Sequence, residues 1–368
     1  MYTHNSRISM HQFRIMLTLQ MFNMSILILP RICSTIVGQD GYWLPLFGFL
    51  IGSIYIFAIT GLTNRFRGKS FVEYSKIILT KPIGILVTIM FLVKIIITIG
   101  FELRLFAEMI QRVLLPNTPL EVIMLLMLFA TYYLIKSGVE AQGRMAEILV
   151  YFIFVPVVIV MLFIMFKADY NQLLPMFRSD VNKVLVGSFH TSVTFMPLEF
   201  VLVIGAFVNR PKKIRRCCFS ALLVITILEV LIIILTFTGI GTIESSREFW
   251  PVLTLMESIQ LPGSFIENQE ILMMGWWIMS VFMYISAGVY VASLLVSQLC
   301  NFKRENVTII PVIPFIFLIA VLPSSLLYAY DYFLKFQSKV GVVFLLIIPA
   351  LMWLIAILRK VDGKHEAN

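Results

Sequence analysis

Apolar residues run along this chain in long uninterrupted stretches rather than alternating with polar ones. Windows of about 19 residues, long enough to cross the hydrocarbon core of a bilayer, identify ten such stretches. They cover residues 11–36, 42–62, 83–111, 120–137, 146–166, 184–208, 217–240, 271–299, 309–328 and 340–358. Strands of a membrane barrel would alternate in segments of about ten residues. The pattern therefore predicts an all-α integral membrane protein with ten transmembrane helices.

Two connecting segments carry helix signals of their own. Ser70 and Glu73 have the spacing of a capping box, which predicts a short helix over residues 70–79 on the inner surface. In the outer segment 242–270, Pro251 suits the first turn of a helix whose apolar face follows it. That face is suited either to cap the mouth of a cavity or to anchor the segment in the membrane interface.

Composition and charge exclude a water-soluble protein. The chain is 60% hydrophobic and 13% charged, with a mean hydropathy of +0.94, which leaves too little polar surface to cover a soluble domain. The net charge of +9 lies mostly in the connecting segments, so it indicates orientation rather than a nucleic-acid partner. Most basic residues fall inside the cell if both termini are cytoplasmic. The first stretch lacks a signal-peptide cleavage pattern, and we expect it to be retained.

The ten spans form a single transmembrane domain that divides into two sets of five, about 8–166 and about 184–358. Five spans per half give the halves opposite orientations, as in inverted-repeat transporters. The corresponding first and sixth spans both carry polar side chains followed by a proline at mid-depth, Pro30 and Pro197. Proline opens or kinks a helix, and opened helices expose backbone groups that can hold a small solute. Each proline alone is more typical of a structural kink, but their occurrence at matching positions of the two halves favours a binding site.

Short motifs occur in a fixed order along nearly the whole chain. They are Ile8-Ser9-Met10-His11-Gln12-Phe13, Leu29-Pro30, Gly38-Gln39-Asp40-Gly41-Tyr42-Trp43, Arg104-Leu105-Phe106-Ala107-Glu108, Leu115-Pro116-Asn117-Thr118-Pro119, Gly138-Val139-Glu140, Arg144-Met145-Ala146-Glu147 and Leu174-Pro175. In these motifs the chain resembles the membrane-embedded B subunit of spore germination receptors, a branch of the amino acid/polyamine/organocation permease superfamily.

That resemblance implies a LeuT-like 5+5 inverted repeat with broken helices 1 and 6. It also implies a small-molecule germinant, such as an amino acid, held between helices one, three, six and eight. The implied partners are an A subunit in the membrane and a lipoprotein C subunit, and the implied location is the inner membrane of dormant spores. Relatives usually carry glycine in the unwound part of helix one, whereas this chain does not, so we expect the side chains of Asn23 and Ser25 to replace that backbone contact.

The candidate ligand-binding residues lie in the middle of those four spans. They are Asn23, Met24, Ser25, Ile26, Ile97, Gly100, Phe101, Thr191, Thr194, Phe195, Tyr284 and Ser286. Polar, uncharged walls beside aromatic rings fit a zwitterionic amino acid, and a nucleoside or a sugar stays an alternative.

Charged residues inside the spans are costly unless they are paired or hydrated. Lys94, Glu199 and Glu229 lie at mid-depth, and a salt bridge from Lys94 to one of the two carboxylates is expected. The functional alternative is that Lys94 takes the place of a coupling ion. Glu102, Arg104, Glu108 and Arg112 lie toward the outer end of span three, where the (i, i+4) spacing of Arg104, Glu108 and Arg112 predicts a helix-stabilising ladder. His190, a lone imidazole in its span, is expected to form hydrogen bonds rather than to ligate a metal.

Two classes of function fit these features. The favoured one is a nutrient sensor that binds a germinant and signals to partner subunits. The alternative is an ion-coupled secondary amino acid permease with the same fold and pocket. An enzyme is not expected, because the chain lacks paired histidines, a Ser/Lys dyad in a recognisable context and a nucleotide loop. Neither a cofactor nor a metal is expected, and the partners are the germinant, the A and C subunits and membrane lipid.

Overall fold

The computed structural model describes residues 7–258, 269–302 and 305–362, which are almost entirely helical. The α-helices are α1 (Met10–Ser25), α2 (Leu29–Val37), α3 (Leu44–Arg65), α4 (Phe71–Leu79), α5 (Lys81–Val113), α6 (Leu120–Ile135), α7 (Val139–Lys167), α8 (Val181–Ser192), α9 (Val201–Ile204), α10 (Ile214–Ile240), α11 (Thr242–Arg247), α12 (Pro251–Ser258), α13 (Gln269–Leu299), α14 (Ile309–Val321), α15 (Leu326–Phe336) and α16 (Ile348–Leu358). A helix lies at each of the ten predicted spans, so the predicted all-α membrane architecture is confirmed. Within the described ranges, seven helical runs are long and apolar enough to cross a membrane, and α6 and α14 are shorter apolar helices.

Span one is interrupted just after Ser25, as its proline predicts. Helix α1 starts at a capping box in which the Gln12 N–H donates to the Ser9 hydroxyl, and it ends at Ser25. A turn of three residues follows, and α2 begins at Leu29 with Pro30 in its first turn. Proline has no N–H to donate to the carbonyl one turn earlier, at Ile26. The helical hydrogen-bond pattern therefore fails between the two helices.

Span six is interrupted in a different form from the one that the sequence predicts. Helix α8 ends at Ser192, and residues Val193–Phe200, here called the 3₁₀ segment, continue the helix with a tighter turn. Pro197 lies inside this segment and cannot donate to the Val193 carbonyl. The chain responds by tightening into 3₁₀ turns rather than by opening, so the expected stretch of exposed backbone is absent from this part of the described chain.

The two halves carry matching accessory elements. Helix α4 lies between spans two and three, and α12 lies between spans seven and eight. The capping box predicted for α4 is present, because the Glu73 N–H donates to the Ser70 hydroxyl and the Ser70 N–H donates to the Glu73 carboxylate. Helix α12 begins at Pro251, as predicted. The third and eighth spans, α5 and α13, are both long, with 33 and 31 residues.

The boundaries predicted for the last two spans are wrong. Span nine ends at Val321 rather than at residue 328, because a residue that precedes a proline, here Leu322 before Pro323, disfavours helical backbone. Ser325 then caps α15, which starts the last span well before residue 340. Two π-helical stretches, Gln337–Gly341 and Val343–Ile347, connect α15 to α16.

Contacts between distant segments define two ends of the helix bundle. At one end the Ile8 N–H donates to the Phe207 carbonyl (3.0 Å) and the Asn209 N–H donates to the Ile8 carbonyl (3.1 Å). The Arg65 side chain donates to the Val361 carbonyl at the same end (2.6 Å). The opposite end contains Asp40 and the segment 177–179. Arg7, Arg65 and Arg210, which belong to basic segments that the sequence assigns to the inner side, thus lie at one end of the bundle.

Candidate ligand-binding site

A cavity lies where α1, α5 and the 3₁₀ segment meet, and it extends to α2, α8, α13, α15 and the two residues before α12. Its volume is about 70 Å³. At roughly 10–15 Å³ per water on this measure, about five water molecules or one small organic solute fit inside. Polar side chains and aromatic rings line it, among them Asn23, Glu102, His190, Thr194, Phe249, Trp250, Trp277, Tyr330 and Phe333.

Asn23 and Glu102 join the end of α1 to α5 at this cavity. The Asn23 amide donates from Nδ2 to Glu102 Oε1 over 2.7 Å. Both side chains are buried, with relative exposures of 4% and 6%. The Asn23 carbonyl oxygen, Oδ1, has no hydrogen-bond partner among the described residues. The cavity therefore contains a carboxylate and an unsatisfied acceptor side by side.

Thr194 connects the 3₁₀ segment to α10. Its hydroxyl oxygen lies 2.8 Å from Glu229 Oε1 and 2.7 Å from the Thr191 carbonyl oxygen. A hydroxyl has one proton, so it donates to one of these acceptors at a time. The second oxygen of Glu229 is buried without a partner in the described part of the chain. Thr194 thus links the cavity wall to a buried acidic group behind it.

A second cavity of about 310 Å³, here called the vestibule, lies beside α2. It shares five lining residues with the first cavity, Ile32, His190, Val193, Tyr330 and Leu334. Arg31 lines the vestibule, and its guanidinium carbon lies 4.7 Å above the Phe249 ring. The Phe249 ring also contacts Tyr330 edge-on at 5.0 Å between centroids. The Arg31 guanidinium, which lines the vestibule, is therefore stacked on Phe249, an aromatic residue that lines the first cavity.

Lys94 and Glu199 form the ion pair that the sequence predicts. Lys94 Nζ lies 2.5 Å from both Glu199 carboxylate oxygens, and both side chains are buried. Glu229, the other candidate, bonds Thr194 instead. The Tyr284 hydroxyl lies within electrostatic range of Glu102 and of Glu199, and it has no hydrogen-bond partner among the described residues.

The predicted ladder on α5 is also present. Arg104 donates to Glu108 at 2.8 Å, and Arg112 lies 3.5 Å from the other Glu108 oxygen. These charges are therefore committed to one another at (i, i+4) spacing.

Comparison with known protein families identifies the chain. A sequence profile described as "Spore germination protein" matches residues 7–327. The chain belongs to this family. Among relatives in Bacillus subtilis (strain 168), it is similar to spore germination protein YndE, with 27% identity over 331 residues, 88% of this chain and 90% of the relative. Spore germination protein A2 from the same organism is 26% identical over 349 residues, which cover 92% of this chain and 93% of the relative.

The fold of this spore germination family member has a counterpart among solved structures. The chain is similar to the transporter Mhp1, of the nucleobase-cation-symport-1 family, in a closed conformation with bromovinylhydantoin bound. The TM-score is 0.63 with 13% identity, over 94% of this chain and 80% of that one. The similarity shows the permease-like fold, and the ligand is that protein's own.

Two of the predicted ligand residues of this germination protein, Asn23 and Thr194, line the cavity. Phe101 lies behind the wall, with its ring 6.3 Å from that of Phe333. Met24 and Ser25 form the last turn of α1, and their side chains lie outside the described part of the structure.

Other predicted residues face neighbouring helices rather than the cavity. Thr191 donates to the Ser188 carbonyl (2.9 Å) and packs at Gly48 of α3, and the Phe195 ring packs at Gly52. Ser286 faces α6, where its hydroxyl lies 3.4 Å from that of Thr131. These positions have polar or small residues at mid-depth because helices approach closely there.

The remaining predicted residues also lie away from the cavity lining. A Cβ at Gly100 would lie 2.5 Å from Ile319, so this glycine permits close contact with α14. Ile26 is buried in the turn of span one among apolar side chains, and Ile97 is half-buried on α5. Tyr284 stacks on Phe200 at 5.7 Å, inside the core.

Glu102 is the functional candidate that the sequence analysis missed. It was grouped with the charges toward the outer end of α5, yet it follows Gly100 and Phe101 in an otherwise apolar run. A carboxylate in such a run is itself a signal of a site inside the membrane. His190, expected only to form hydrogen bonds, lines both the cavity and the vestibule.

Proposed function

We propose that this protein is the germinant-sensing subunit of a spore germination receptor and that it binds a small nutrient, most suitably an amino acid, in the cavity at mid-membrane. The observation that carries this proposal is the cavity between the two interrupted spans, which is mostly apolar and contains Asn23, Glu102 and Thr194, in a chain of the spore germination family. Its volume suits a small amino acid. The aromatic walls suit a modest apolar side chain.

The sensing mechanism follows from the two contacts that hold the interrupted spans against α5. Asn23 of α1 bonds Glu102 of α5, and Lys94 of α5 pairs with Glu199 of the 3₁₀ segment. Both contacts hold an interrupted span against the same long helix. A ligand that binds better when one of them is released shifts the population toward that arrangement. We propose that A and C subunits read this shift.

We further propose that the protein lies in the inner membrane of the spore with both termini in the cytoplasm. The excess of basic residues at the end of the bundle that contains Ile8 and Asn209 supports this orientation. A reporter fused after Lys360 tests it, and a signal outside the membrane would reverse the orientation.

The second candidate is an ion-coupled amino acid permease, and the fold shared with a transporter favours it. The two functions differ in one measurement. Purified protein in sealed vesicles moves a labelled amino acid against its gradient if it is a permease. Binding without movement supports the sensor.

The decisive experiment for the sensor is genetic. The gene is deleted, and spores are screened for the single nutrient whose germination response is lost. The Asn23→Ala and Thr194→Ala variants are then expected to shift the nutrient concentration that gives half-maximal germination. An unchanged response of the deletion strain to every nutrient contradicts the proposal.

A further inference from the structure

Glu102 is a buried carboxylate that forms no ion pair within the described residues. Its hydrogen-bond partner there is the neutral Asn23 amide. The two basic residues of α5 on either side of Glu102 are already paired, since Lys94 bonds Glu199 and Arg104 bonds Glu108. A buried carboxylate inside the membrane is stabilised by a positive partner at close range. The Glu102 carboxylate therefore favours a ligand that carries a cationic group.

The carbonyl oxygen of Asn23 restricts which type of cationic group fits beside Glu102. Asn23 Oδ1 is buried without a partner, beside the Glu102 carboxylate that its own amide bonds. A primary ammonium has three N–H donors and no acceptor. It can donate to Glu102 and to Asn23 together. A sugar or nucleoside hydroxyl supplies a donor but leaves the carboxylate charge uncompensated.

The aromatic walls are compatible with the same occupant. Trp250, Trp277 and Tyr330 line the cavity around the polar pair. Rings of this kind attract cations through their faces and also accept apolar groups. A small molecule with an ammonium group and an apolar remainder therefore matches both parts of the lining.

We propose that the cavity selects ligands that carry a primary ammonium group, with Glu102 as its counter-ion and Asn23 Oδ1 as a second acceptor, and this inference rests on the proposed function. An ammonium that donates to both acceptors connects Asn23 of α1 to Glu102 of α5. Ligand binding is thus coupled to the position of the end of α1 against α5.

The test uses the full-length protein, purified in lipid nanodiscs, and isothermal titration. The probes are the twenty common amino acids, glucose, fructose and inosine. For the amino acid that binds, the α-hydroxy acid with the same side chain replaces the ammonium by a hydroxyl. It is expected to bind about 100-fold more weakly, because the buried acceptors lose their cation. The Glu102→Gln variant is expected to bind the amino acid about 30-fold more weakly, or weaker still.

Glu108→Gln is the matched control, because it removes a buried carboxylate from the same helix outside the cavity lining. It is expected to change the affinity by less than about 3-fold. Equal binding of the amino acid and its hydroxy analogue by the wild type overturns the inference, and this comparison needs no variant to fold. Binding of glucose or inosine alone overturns the inference but leaves the sensor proposal standing. Binding of none of the probes overturns both.

Discussion

Lys94 and Glu199 form an enclosed ion pair that joins the middle of α5 to the 3₁₀ segment of span six. The side chains are 1% and 0% exposed, and one ammonium faces both oxygens of one carboxylate. The pair brings together two charges that neither helix tolerates alone in the membrane. The contribution of the ion pair to stability is therefore tested by replacing one residue of the pair and then both.

Replacing Lys94 with Met alone is expected to destabilise the protein by about 3–5 kcal/mol, because Glu199 is left buried without its counter-charge. The double variant Lys94→Met, Glu199→Met is expected to recover most of the loss. Thermal unfolding in detergent measures both. A single variant as stable as the wild type contradicts the structural role. A stable double variant that no longer supports germination favours the alternative that Lys94 replaces a coupling ion.

Replacing Thr194 and Thr191 in turn distinguishes a role in the cavity from a role in helix packing. Thr194→Val removes the hydroxyl that meets Glu229 at the cavity wall, whereas Thr191→Val removes one that faces α3. Loss of one such hydrogen bond is worth about 1–1.5 kcal/mol. The Thr194 variant is expected to shift the half-maximal nutrient concentration for germination by about 5–10-fold, and the Thr191 variant by less than about 2-fold. Equal shifts for both would remove Thr194 from the site.

Gly52 provides the space that the Phe195 ring occupies. A Cβ at this position would lie 2.9 Å from Phe195 Cδ2, so Gly52→Ala is expected to cost about 1–3 kcal/mol of stability. Gly275 of α13 is the matched control, since a Cβ there meets nothing within 4 Å. Gly275→Ala is expected to be neutral or to stabilise by up to about 1 kcal/mol. Unfolding temperatures of the two variants check the difference, and a Gly52→Ala protein as stable as wild type contradicts the close packing.

Asp40 holds the loop before α8 through its carboxylate. It accepts N–H bonds from Phe177 (2.7 Å), Arg178 (2.9 Å) and Ser179 (2.9 Å). Burial alone raises the pKa of Asp40, but the hydrogen bonds from Ser179, Phe177 and Arg178 together lower it below its ordinary value. The charged form is therefore the one that the fold stabilises.

Asp40→Asn is expected to destabilise the protein by about 2 kcal/mol at neutral pH, because bonds to a charged acceptor become bonds to a neutral one. The contribution of Asp40 is fully present above its ordinary pKa of about 4 and disappears as pH falls through the lower folded-state value. The wild type should therefore lose its advantage over the variant below pH 4. Unfolding temperatures across pH measure this. Asp180→Asn is the control, since Asn caps α8 equally well. A constant advantage down to pH 2 would contradict the role of the charge.

The predictable features were those that depend on neighbours in the sequence. Long apolar runs set the spans, Pro30 set the interruption of span one, and Ser70 with Glu73 set the start of α4. Each of these depends on local hydrogen bonding or on length. The predicted span nine is too long because an apolar window extends across Pro323, whereas helical backbone is disfavoured at the residue before a proline.

The direction in which each mid-membrane side chain points was not predictable. A helix that is apolar on all sides has no amphipathic face to show which side meets lipid and which meets protein. Thr191, Phe195 and Ser286 have the residue types of a binding site but face α3 or α6. Glu102 reaches the cavity because α1 places Asn23 opposite it, a contact between residues 79 positions apart.

The backbone bonds between Ile8 and the chain at Phe207 and Asn209 give the two discontinuous spans a common anchor on the basic side. Because Ile8 precedes α1 and Phe207 lies at the end of span six, a tilt of one span at the cavity moves the end of the other. A ligand that displaces either span therefore changes the position of the same surface segment, residues 7–8 and 207–209.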